Sequence, residues 1–259
     1  MNLMPLAINT LRETIRDKVL YAILFFALLM IASGTLLANL SLNQQGRIVL
    51  DLGLTSISVF GLIITVFVGT NLLNKEVDKK TIYLLLSKPL RRTDFVLGKF
   101  LGLSLTLGII TLAMSATFYA VLWYTLKGLD QEIVSWVPTS AMALVLIYVE
   151  MLLLTAAAIF FSTFSSPVMS AMFTLGLYLI GHLSYDLLQF GKLTGQPMLT
   201  QITQLIFYIL PDLERLNLKN VLVNQTVPTE IFGAALGYGG LYIAGLLVLS
   251  MMIFEGKEF

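Results

Sequence analysis

The 259-residue sequence is 57% hydrophobic and 12% charged, with a formal net charge of +1 and a mean hydropathy of +0.87. Soluble domains hold roughly a quarter charged residues, and a chain of this size cannot hide so much apolar surface in one aqueous core, so a bilayer is the solvent that fits. The balanced charge removes an electrostatic case for nucleic acid, the lack of cysteine removes disulfides and thiolate chemistry, and a single histidine removes a histidine-rich metal site.

Residues 1–18 come first. Leu3, Ala7, Ile8, Leu11 and Ile15 recur at helical spacing while Arg12, Glu13, Arg16 and Asp17 lie off that stripe. The pattern predicts an amphipathic helix along the cytoplasmic membrane interface, with Pro5 tolerated in its first turn. Six stretches then reach the roughly 20 apolar residues a bilayer core needs. They cover about 19–38, 50–73, 97–124, 139–164, 168–190 and 231–254. Between the fifth and sixth, in an extracellular segment 191–230, Ile202, Leu205, Ile206, Ile209 and Leu210 form an apolar run too short to cross, ended by Pro211. Leu213, Leu216, Leu218 and Val221 begin another short helical stretch. Short apolar helices beside a span read as re-entrant or interfacial. The expected fold is a single all-α transmembrane domain over 1–259.

Orientation follows from lysine and arginine, which resist translocation. With the N-terminus inside, eleven of the sixteen basic residues are cytoplasmic, seven of them between Lys75 and Lys99. Both termini are then expected in the cytoplasm, at the plasma membrane of a bacterial or archaeal cell. Gly98 with Gly102, and Gly233 with Gly237, have the small-xxx-small spacing that lets helices touch closely. Trp123, Tyr124 and Trp136 fit an aromatic belt at the outer interface.

No energy-transducing site is encoded. Gly98-Lys99 and Gly191-Lys192 lack the earlier glycine and the following hydroxyl residue of a phosphate loop, and neither a nucleophile elbow nor a zinc helix is found. The cytoplasmic segment 74–96 carries the most information. Ile82, Leu85 and Leu86 make a short apolar face bracketed by charges, Pro89 ends that helix, and Asp94 is placed to cap the third span. By charge alone such a loop merely sets topology; a short helix ended by a rigid proline could also transmit a push from a docked protein.

The arrangement Glu76, Thr81, Leu84-Leu85-Leu86-Ser87, Pro89, Arg92, Leu97-Gly98-Lys99 and Gly102 resembles the signature of type-2 ABC transporter permeases, the membrane subunits of exporters. It is also similar to the permease of the nitrous-oxide-reductase maturation system. The resemblance implies that 76–89 includes the coupling helix seated on a nucleotide-binding subunit. It implies two permeases, as a homo- or heterodimer, and two ATPase subunits, with ATP and magnesium held by the partner and no cofactor in this chain. Membrane lipids complete the expected partners.

Charges inside the spans form the other candidate site. Glu150 lies near the middle of span four, where a carboxylate costs roughly 2.5–3.5 kcal/mol on insertion scales. His182 lies in span five and Asp186 one turn beyond it. The short link Ser165-Ser166-Pro167 makes spans four and five an antiparallel hairpin, and Glu150 and His182 are equally far from its bend. They are expected to face each other, the carboxylate favouring a protonated imidazole or keeping its own proton. The pair is a gate or proton-sensitive element on one reading and a fixer of helix packing on the other. An ion-coupled secondary transporter or channel, with Glu150, His182 and Asp186 as relay, is the rival to an ATP-driven permease.

Overall fold

The computed structural model describes residues 3–39, 44–78, 92–127, 136–217 and 229–255. Within them the chain forms α1 (Leu3–Ile15), α2 (Lys18–Asn39), α3 (Gln45–Asp78), α4 (Arg92–Lys127), α5 (Val137–Ser162), α6 (Pro167–Leu193), α7 (Pro197–Ile209), a 3-10 turn η1 (Leu213–Leu216) and α8 (Thr229–Glu255). Helices α2, α3, α4, α5, α6 and α8 are long and apolar enough to cross a membrane. The protein is therefore an all-helical, multi-pass membrane protein. Successive spans alternate in direction, so α1 and the last turn of α8 meet at one end of the bundle. There Phe95 of α4 stacks on Phe254 of α8 with ring centroids 5.6 Å apart, and Leu6 of α1 joins them. We call this the terminal end and the opposite one the far end.

Two spans run well past their apolar stretches: α3 has 34 residues and α4 has 36. The expected boundaries at 73 and 97 fall inside these helices, because charged residues leaving a bilayer can continue a helix in water. Asp94 consequently lies within the first described turn of α4 rather than at its cap. Its carboxylate there faces the positive end of the helix dipole.

Helix α5 is the centre of the bundle. Two thirds (67%) of its apolar window is buried, against 17% for α8, and it packs on α3, α4, α6, α8 and η1. Lipid tails are as apolar as leucine, so burial alone does little to hold spans together; close packing and hydrogen bonds must do it. The run Ala156-Ala157-Ala158 is fully buried and keeps α5 slim where Gly69 of α3 approaches Ala158. Buried hydroxyls turn back onto their own helices, as Thr70 does to the Val66 carbonyl, Thr106 to Gly102, Thr155 to Met151 and Thr174 to Ser170. Each thereby avoids leaving a polar group unsatisfied in an apolar interior.

The N-terminal helix is present, but its packed face differs from the expected stripe. Leu6, Ala7, Thr10 and Thr14 are buried, while Ile8 is exposed. Two glycines of α4 explain the rotation. A Cβ on Gly102 would stand 2.5 Å from Thr10 Cβ and 2.7 Å from the Ala7 carbonyl oxygen, and one on Gly98 would meet Leu6 at 2.5 Å. The Gly98/Gly102 groove thus receives α1, not another span. Small residues set the docking face, and Thr14 satisfies its hydroxyl on the Thr10 carbonyl at 2.8 Å. Gly233 and Gly237, in contrast, face open space, so their spacing makes no close contact within the described chain.

Candidate functional site

The link after α5 places the first polar cluster. Pro167 opens α6, and Ser165 donates its hydroxyl to the Phe161 carbonyl at the end of α5. The two helices then rise side by side. Glu150 Oε1 lies 3.4 Å from His182 Nε2, with the glutamate side chain 3% and the histidine side chain 19% exposed. The other imidazole nitrogen, Nδ1, is 3.2 Å from the Tyr178 carbonyl oxygen, and the Tyr178 ring lies against the imidazole at 4.5 Å between centroids. Asp186 is exposed and does not join the pair, so the structure brings together two of the three expected residues.

The sequence reading missed the second cluster. After Gly195, whose φ of +65° suits a residue without a side chain, α7 folds back along α6. Close contacts of Gly191 with Thr203, and of Gly181 with Pro211 and Leu213, mark its descent. Ten residues of α6 separate those glycines, so the hairpin tip lies about 15 Å deeper than its mouth. At the tip Leu213 and Leu216 pack with Leu146, Leu153 and Leu154 of α5 and Leu177 of α6. Asp212 holds this tip. Its Oδ1 accepts from the Ser184 hydroxyl at 3.2 Å, its Oδ2 accepts from Arg215 Nε at 3.1 Å, and its backbone N–H donates to the Tyr238 oxygen at 2.7 Å. Arg215 also lies over the Tyr238 ring. One aspartate therefore ties α6, η1 and α8 at the depth of Glu150 and His182. An acid three residues before an arginine, directly after a proline in an apolar run, is the signal that could have found it.

Among the described residues, no group of three or more histidine, aspartate or glutamate side chains is placed to hold a metal ion. The site is two polar links in an apolar bundle, placed to fix or release helix positions. Comparison with known families gives a direct answer: the profile of the ABC-2 family transporter protein matches residues 4–259. The chain belongs to that family. Among individual curated proteins, none matches it. As an ABC-2 membrane protein it is the non-catalytic transmembrane subunit of an ABC transporter, in a family that partners an ABC ATPase subunit.

The expected coupling residues fall mostly between α3 and α4. Thr81, Leu84, Leu85, Leu86, Ser87 and Pro89 lie outside the described residues. Glu76 and Arg92 belong to α3 and α4, with side chains outside the description. What the structure adds is Lys99. Counted as a loop charge by sequence, it is fully buried in α4, with its ammonium 5.8 Å from the Phe95 ring centroid, within cation–π range. Phe95 in turn stacks on Phe254. Immediately beyond the loop, α4 is thus locked to α1 through Gly98 and Gly102 and to α8 through Phe95.

Proposed function

We propose that this ABC-2 permease is the membrane half of an exporter in a plasma membrane, with both termini cytoplasmic. The ABC-2 match along residues 4–259 carries the proposal. A separate subunit binds ATP and magnesium and docks on the loop that includes Glu76, Thr81, Leu84, Leu85, Leu86, Ser87, Pro89 and Arg92. The basic character of that loop supports a cytoplasmic location. Two permeases pair, as a homo- or heterodimer, and closure of the ATPases rocks α2, α3 and α6 to open a path between them. The wide apolar surfaces left on α2 and α8 support contact with lipid and with a second protomer. The loop's resemblance to the signature of type-2 ABC exporters supports the export direction. Force entering at residues 74–96 would reach the bundle through the start of α4, where α1 and α8 are both anchored.

The test is co-purification with the candidate ATPase and stimulation of its hydrolysis. Glu76→Ala, or alanines at Leu84, Leu85 and Leu86, should abolish stimulation while leaving the folded permease intact. Undiminished binding and stimulation would refute the docking assignment. Transport by the purified chain with no ATPase would instead favour an ion-coupled carrier using Glu150, His182 and Asp186.

A further inference from the structure

Threonines from three different spans line one cavity inside the bundle. Thr65 of α3, Thr106 of α4 and Thr155 of α5 meet there, with apolar residues that include Ile64, Leu103 and Leu107. Each of the three threonines is only 1% exposed. Their shared level follows from the helix contacts. Gly61 of α3 lies against Met151 of α5, and Gly69 approaches Ala158. The two helices therefore run parallel, and Thr65, between those glycines, falls level with Thr155. Helix α4 meets the same pair at Thr111, whose hydroxyl reaches the Met151 sulfur at 3.6 Å. Thr106 is five residues back along this antiparallel helix, about 7.5 Å from that level, and Thr155 is about 6 Å from it on the same side.

The hydroxyls of Thr106 and Thr155 are committed as donors, to the Gly102 carbonyl at 2.9 Å and the Met151 carbonyl at 2.7 Å. A hydroxyl oxygen that donates still has lone pairs with which to accept. Thr65 differs from both. Its buried Oγ1 has no hydrogen-bond partner among the described residues, and an unpaired hydroxyl in an apolar interior is destabilising. The balance of donors and acceptors is that of one water, which accepts from Thr65 and donates to Thr106 and Thr155. Three bonds is also the number a buried water usually makes. The cavity offers about 10 Å³ to the centre of a water molecule, close to the roughly 10–15 Å³ that one such molecule needs. A lipid or a cargo molecule is far too large for it. A cation would find neutral oxygens and no charged lining residue, so its own charge would be buried without compensation. We propose that Thr65, Thr106 and Thr155 form a binding site for a single water molecule, which joins α3, α4 and α5 within the membrane.

The site is a property of the folded chain and stands apart from the export proposal. Thr65→Val keeps the shape of the side chain and removes its hydroxyl, and the sign of its effect separates a wet cavity from a dry one. In a dry cavity the change discards an unsatisfied polar group, so the unfolding midpoint of the full chain in lipid nanodiscs would stay level or rise. With water bound it removes a hydrogen bond, and the midpoint should fall by about 2–4 °C. A second measurement needs no variant. X-ray radiolysis of the wild type converts a bound water into a hydroxyl radical beside its neighbours, and mass spectrometry reads the oxidised residues. Leu103, which lines the cavity and is 2% exposed, should be oxidised, while Leu146, equally buried but outside this cavity, should stay unmodified. A Thr65→Val chain as stable as wild type or more so, or a Leu103 as protected as Leu146, would overturn the proposal. So would a wild-type midpoint that rises when sodium replaces choline in the buffer and a Thr65→Val midpoint that does not, since the occupant would then be a cation.

Discussion

Replacing Gly102 by alanine tests the docking of α1 most directly. The new methyl carbon would lie 2.7 Å from the Ala7 carbonyl oxygen and 2.5 Å from Thr10 Cβ, where ordinary contact is about 3.5–4.0 Å. A backbone atom cannot rotate away, so α1 must retreat by about 1 Å at this crossing. Overpacking of this kind costs about 1–3 kcal/mol. Alanine recovers roughly 0.5–1 kcal/mol over glycine inside a helix, leaving a net loss of about 0.5–2 kcal/mol. Gly98→Ala is the milder comparison: its shortest contact, 2.5 Å, is to Leu6 Cδ2, which a rotamer change can move, while Leu6 Cβ at 3.1 Å must give only slightly, so its loss should be smaller than that of Gly102→Ala. Because the chain has no cysteine, Thr10→Cys provides a clean reporter at a fully buried position. Gly102→Ala should lower the unfolding midpoint by several degrees, at about 2–4 °C per kcal/mol, and make that cysteine react with maleimide. A variant as stable as wild type, with the cysteine still protected, would refute α1 packing in the Gly98/Gly102 groove.

Three further outcomes follow from the geometry. Asp212→Asn turns an amide toward Arg215 and should cost about 1–2 kcal/mol, a figure held down by the half-exposed arginine; a cysteine at Leu216 should become reactive in parallel. Tyr238→Phe removes the acceptor for the Asp212 N–H and should cost about 1 kcal/mol in thermal unfolding, with Tyr242→Phe as the milder comparison. Gly233→Ala and Gly237→Ala enter open space and should stabilise the monomer by roughly 0.5–1 kcal/mol each, read as a rise in its unfolding midpoint. A loss of dimer in either variant, read by cross-linking, would show that a second protomer uses that face.

The spans were legible because the need for about twenty apolar residues is a constraint on length: five of the six expected stretches lie within helices, and the fourth overruns the end of α5 at Ser162 by two residues. The Glu150–His182 juxtaposition was legible for a related reason. A tight hairpin fixes relative depth, and a charged side chain at that depth has few places to go. The face of α1 was not legible. Its apolar stripe pointed to Ile8, but the groove it enters is made by two absent side chains on a helix more than eighty residues away. Asp212 was hidden likewise: its partners Ser184 and Tyr238 sit 28 and 26 residues away, and only the fold-back of α7 joins them. Sequence patterns report what a helix shows to its solvent; they say little about which polar atoms meet inside.

The unequal enclosure of the helices sets where the bundle can deform. Moving α5 would strip contacts from four other helices and the η1 turn together, whereas α2 rests chiefly on α3 and α4. Any cycle of shape change will therefore keep α5 as a stationary axle while outer staves tilt about it. Amide exchange should rank accordingly, slowest along residues 146–159 and faster in the less enclosed α2 and α8.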